Sequence, residues 1–170
     1  NNSTRGDSAQ GGGVFVDPPI FDGSGAGASL FAYDTIISNN LTEGIISAGG
    51  GAFSNGFATL YNSSVSANRT TGRFGNGAGL YARGAVVNRS AIIDNHASGL
   101  SPTAGGLGVS DDAIIQNSVI SGNSSALVGG GVFVFDSDLR VLNSTITNNS
   151  GPEGGGVALS NETENSSSKI

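Results

Sequence analysis

The chain has 170 residues, 36% of them hydrophobic, 12% charged and 29 of them glycine, with no cysteine and a net charge of −6. This composition provides for one domain with a thin continuous core, and it excludes a disulfide scaffold, a thiolate metal site and a basic surface for nucleic acid or anionic lipid. The glycines follow no three-residue period, so they serve turns and close packing rather than a collagen helix.

In chain order, the first feature is Asn2, followed 11 residues later by the last glycine of Gly11-Gly12-Gly13. Val14-Phe15-Val16 comes next, and its alternation reads as a strand with the valines turned inward and Phe15 outward. Residues 17–29 are rich in proline, glycine and serine and form an inserted loop in the first coil, because Gly13 to Asn40 spans 27 residues where later copies use 16–18. A contact role is one expectation for this loop.

From Asn40 onward two phrases alternate. One ends in an asparagine, at Asn40, Asn68, Asn95, Asn123 and Asn149, with intervals of 28, 27, 28 and 26 residues. The other is a glycine run followed by alternating residues, beginning Ala52, Leu80, Leu107, Val132 and Val157. A period of this size marks a solenoid. Three residues before each asparagine lie Ile37, Val65, Ile92, Ile120 and Ile146, and eight before lie Ala32, Leu60, Val87, Ile115 and Val141, so two apolar columns face inward. Five before lie Thr35, Ser63, Ser90, Ser118 and Ser144. The expected fold is all-β: a right-handed parallel β-helix of about six coils of 25–28 residues, one domain over residues 1–170. Stacked coils place Asn2, Asn40, Asn68, Asn95, Asn123 and Asn149 in one ladder, where each amide can donate and accept along the stack.

The phrases Gly-Gly-Gly-Val and Ile-x-x-Asn, as in Ile146-Thr-Asn-Asn149, resemble the Gly-Gly-Ala-Ile and Phe-x-x-Asn repeats of polymorphic outer-membrane proteins and autotransporter passengers. The resemblance covers nearly the whole chain. It implies an exported β-helix. The expected function is a non-enzymatic extracellular or cell-surface structural protein, a surface-fibre or filament subunit, with an adhesin or passenger stalk binding a surface or glycan as the alternative and a polysaccharide-active β-helix enzyme as the third reading. The chain departs from that pattern in carrying Ile or Val where the family prefers Phe, and it shows no C-terminal membrane barrel.

Both termini fall inside a coil, without an initiator Met, signal peptide or capping segment, and two expectations follow. Either copies of the chain stack head to tail, each completing its neighbour's partial coil, or the sequence is a piece of a longer β-helix. No apolar run reaches the roughly 20 residues that cross a bilayer, so no membrane insertion is expected of this segment.

For chemistry, Asp111 and Asp136, with Asp112 and Asp138 nearby, are the candidate ligands for Ca²⁺, and Arg140 is the nearest base. Otherwise no cofactor, metal or catalytic residue is expected. His96 is the sole histidine and reads as a surface turn residue, and Arg5-Gly6-Asp7 spells an integrin-type tripeptide. The outward positions Phe15, Phe53, Tyr81 and Phe133 form an aromatic contact stripe for glycans, cell surfaces or neighbouring copies. There are eleven Asn-x-Ser/Thr sequons. Ladder asparagines cannot be both stacked and modified, so N-glycans are expected on Asn62, Asn88, Asn143, Asn148 and Asn161.

Overall fold

A computed structural model describes residues 2–17 and 28–160, so most of the expected insertion, and Asn161, lie outside the described residues. The rest is a stack of parallel strands: five coils and the start of a sixth, with ladder positions 38, 28, 27, 28 and 26 residues apart. The long first step contains the insertion, whose described ends are fastened to the second coil. Asp17 Oδ1 accepts from Asn55 Nδ2 at 2.8 Å, and the Ala28 carbonyl accepts from Ser54 Oγ at 3.0 Å.

The coils are built from four kinds of straight segment, and each segment pairs in parallel with its equivalents in neighbouring coils. An entry stack follows the ladder asparagine, with Ser3–Arg5, Leu41–Glu43, Arg69–Thr70, His96–Ala97 and Ser124–Ser125. A short middle stack holds Ser8–Gln10, Ile46–Ala48 and Phe74–Asn76. The long stack has nine strands among the described residues, including Ala52–Tyr61 and Leu80–Asn88. The exit stack comprises Ile36–Ser38, Ser64–Ser66, Ala91–Ile93, Val119–Ser121 and Thr145–Thr147. In every stack equivalent positions face each other at the interstrand spacing of about 4.8 Å.

The sequence folds this way because apolar side chains alternate along the segments and residues tolerant of positive φ stand at the corners. The corner into the long stack takes the first glycine of each run, Gly11, Gly49, Gly77, Gly129 and Gly154, at φ between 55° and 63°. In the fourth coil Ala104 occupies this place at φ 56°. The core contains the expected pair of apolar columns, Leu60, Val87 and Ile115 in the long stack and Val65, Ile92 and Ile120 in the exit stack, all fully buried, together with Leu80, Leu107 and Val132 after the glycine runs. Each such side chain contributes about 1.5–3 kcal/mol of hydrophobic stabilisation.

Candidate functional site

The asparagine ladder runs through the whole described stack. Asn2 Nδ2 donates to Asn40 Oδ1 at 3.0 Å, and the pattern continues through Asn68, Asn95 and Asn123 to Asn149. Each Oδ1 also accepts the backbone N–H of the preceding asparagine, as from Asn68 N to Asn95 Oδ1 at 3.0 Å. The second amide hydrogen reaches a carbonyl of the preceding coil, as from Asn95 Nδ2 to Val65 O at 3.0 Å. Asn68, Asn95 and Asn123 are fully buried, so the satisfied amides rigidify the corner where an unpaired one would be costly.

A second ladder lies in the Thr/Ser column, whose register was legible but whose hydrogen bonding was not. Ser63, Ser90 and Ser118 Oγ accept the backbone N–H of Thr35, Ser63 and Ser90 at 3.0–3.1 Å, and Ser144 Oγ accepts that of Ser118. Each serine hydroxyl donates to the carbonyl two residues earlier, as from Ser90 Oγ to Asn88 O at 2.8 Å.

The aromatic stripe alternates with core residues as expected, but it is stacked rather than uniformly exposed. Phe53 lies between Phe15, at 5.5 Å, and Tyr81, at 6.0 Å, with ring planes nearly parallel. Phe15 remains 52% exposed, whereas Phe53 is only 8% exposed. Burial raises the pKa of the Tyr81 phenol above its ordinary value. Gly108 interrupts the stripe in the next coil, and beyond it the Phe133 ring lies 6.5 Å from Phe135.

Of the candidate acids, Asp111 and Asp112 carry contacts within the chain. Asp111 Oδ2 takes a charge-assisted hydrogen bond from Arg83 Nε at 2.8 Å, and Asp112 Oδ1 accepts the Asp138 backbone N–H at 3.1 Å. Asp136 sits at a left-handed corner, φ 52°. Among the described residues no three His, Asp or Glu side chains converge on a cation position. His96 Nδ1 bonds to Ser124 Oγ at 2.7 Å. Arg5 of the Arg-Gly-Asp tripeptide is paired with Glu43.

The sequon asparagines divide. Asn40, Asn68 and Asn123 are locked in the ladder. Asn143 and Asn148 stand at left-handed corners, Asn143 exposed. Asn62 Nδ2 bonds to Asp34 Oδ1, and Asn88 Oδ1 accepts from Asn117 Nδ2 at 3.3 Å.

The last two bonds belong to a feature that sequence reasoning missed. Between the long and exit stacks, every coil turns through one left-handed residue: Asp34, Asn62, Arg89, Asn117 and Asn143, at φ between 47° and 51°. The signal was available, since each lies six residues before a ladder asparagine. The first four form the wall of an open groove of about 520 Å³, floored by Ile36, Ser64, Ala91 and Val119 of the exit stack. The wall is braced: Arg89 Nη1 donates to the Tyr61 hydroxyl at 3.1 Å and its guanidinium lies over the Tyr61 ring. A second hollow, of about 430 Å³, lies where Phe57 passes over Gly84 near Asp111 and Asp112.

Compared with curated proteins and with solved structures, the chain finds no match. The family model described as the right-handed β-helix region matches residues 9–169, and with its parallel coils the chain belongs to that family.

Proposed function

We propose that this β-helix is a non-enzymatic structural protein of the cell surface or extracellular space, an element of a surface fibre or filament whose copies stack head to tail along the solenoid axis. The observation that carries this reading is the continuity of the asparagine and serine ladders through the described coils. A rod stiffened by such columns supplies length and resistance to local opening. Among the described residues, Ser3–Arg5 and Thr145–Thr147 each pair with one strand only, so a further coil or a second copy can extend the same parallel pattern. The reading as a non-enzyme draws on the carboxylates: Asp111 is engaged by Arg83 and Glu43 by Arg5, so these two acids are held in ion pairs.

Cryo-electron microscopy of dilute native material, with mass measurement after dissolution, tests the proposal. Continuous fibres whose coils pass unbroken between separate chains are expected. Discrete rods or monomers would overturn it and favour an adhesin or stalk, the reading suggested by Phe15, Phe31 and Tyr33, each more than half exposed on the first coil.

A further inference from the structure

We infer that the groove beside the exit stack binds an uncharged, extended polysaccharide chain lying parallel to the solenoid axis. Four observations converge on this ligand class. The groove is long rather than deep, crossing four coils, and its wall offers one planar polar side chain per coil: a carboxylate at Asp34, amides at Asn62 and Asn117, and a guanidinium at Arg89. Such groups make paired hydrogen bonds to neighbouring hydroxyls, and here they recur at the coil rise of about 4.8 Å. That interval is close to the rise of one sugar in an extended β-linked chain, so successive sugars meet successive wall residues.

The floor complements the wall. Ile36 is 76% exposed and Val119 is 40% exposed, with Ser64 and Ala91 between them, so the floor mixes apolar surface for the C–H faces of sugar rings with a small hydroxyl. Charge selects further, because Asp34 and Arg89 cancel and the two asparagines are neutral, which disfavours a polyanion or polycation. The wall is also preorganised. Asn62 is held by Asp34, Asn117 by Asn88 and Arg89 by Tyr61, so little side-chain entropy remains to be lost on binding. Asp34 keeps its second carboxylate oxygen, and Asn62 its amide oxygen, beyond these bracing bonds.

This inference does not depend on the fibre proposal, because the groove lies within the described coils and binding is measured on dispersed protein. Isothermal titration with cello-, xylo- and chito-oligosaccharides of two to six units tests it, with polygalacturonate as the charged control. At least one neutral series is expected to bind, with affinity rising to about four units and then levelling, as the groove crosses four coils. Arg89→Gly and Asn117→Gly keep the positive φ comfortable, and each is expected to weaken binding about tenfold with the thermal transition little changed. Failure of every neutral series to bind, equal affinity for polygalacturonate, or binding unaffected by both variants would overturn the inference. So would native protein carrying a glycan on Asn62, which would occupy the groove.

Discussion

A Cβ built on Gly51 would lie 2.8 Å from Nδ2 of Asn68, so the last glycine of the run and the ladder asparagine that follows it are two sides of one contact. The same approach recurs between Gly13 and Asn40, Gly79 and Asn95, Gly106 and Asn123, and Gly131 and Asn149, all between 2.6 and 3.1 Å. The two sequence phrases are therefore coupled. Gly79→Ala is expected to cost about 1–3 kcal/mol through crowding, and Asn95→Ala a similar amount through orphaned amide partners. The double variant should lose somewhat less than the sum, because truncation at position 95 relieves the side-chain part of the crowding, while the approach of the added methyl to the Gly106 carbonyl, 2.6 Å, remains. Urea unfolding of the four proteins measures this, and strict additivity would show that the contact is not shared.

The serine ladder makes a separate prediction. Ser90 Oγ is the acceptor for the Ser63 backbone N–H, and Ser90→Ala leaves that buried donor without its partner. The expected loss is about 1–3 kcal/mol. Ser90→Thr should restore much of it, because Thr35 already stands in this column with its hydroxyl on the carbonyl two residues back, at 2.8 Å. Hydrogen exchange at the Ser63 amide provides the local readout: faster in Ser90→Ala, near normal in Ser90→Thr.

These ladders show how far the sequence was legible. A period of 26–28 residues, with apolar residues three and eight places before each asparagine, was enough to establish coil, register and core, since stacking demands like upon like. The hydrogen-bond role of Ser63 and Ser90 was not, because it depends on a backbone N–H from one coil and a carbonyl two residues away meeting at one hydroxyl. The groove wall was hidden for another reason. Asp34, Asn62, Arg89 and Asn117 share a backbone conformation rather than a residue type, and side-chain similarity does not report φ. The aromatic positions followed from alternation, but the pattern could not show that stacking would leave Phe53 buried.

The entry stack contains a local conflict in the core. Thr42 and Thr70 stack directly upon each other, both fully buried, and neither hydroxyl finds a hydrogen-bond partner among the described residues. Thr70→Val removes such a hydroxyl while keeping the branched shape that fits a strand. An orphaned buried hydroxyl costs about 1–3 kcal/mol, so Thr70→Val is expected to raise the unfolding midpoint. A lower midpoint would show that the hydroxyl is satisfied by bound solvent instead.

Tyr81 gives the fold an alkaline limit. Burial raises its folded-state pKa above the ordinary 10.0, so the folded form holds the phenolic proton where the unfolded chain releases it. The associated stability is fully present below pH 10 and is lost as pH rises through the folded value. Unfolding midpoints compared at about pH 8 and about pH 11 should therefore fall more for the wild type than for Tyr81→Phe, which stacks similarly on Phe53 but has no proton to release. Equal declines would assign the alkaline loss to other groups.

The sequons divide by what folding leaves accessible. A glycan on Asn68 or Asn123 would prevent its amide from entering the ladder, so chains modified there cannot close the coil and are absent from folded material. Asn148 is different: it stands at a left-handed corner outside the ladder, and its sequon hydroxyl, on Ser150, is exposed. Asn143 also stands at a left-handed corner, and both it and its sequon hydroxyl residue, Thr145, are exposed. In folded protein from a glycosylating host, peptide mass spectrometry should find Asn143 and Asn148 occupied, and Asn40, Asn68 and Asn123 unmodified. A substantial glycan on any of those three buried asparagines in folded protein would contradict the ladder itself.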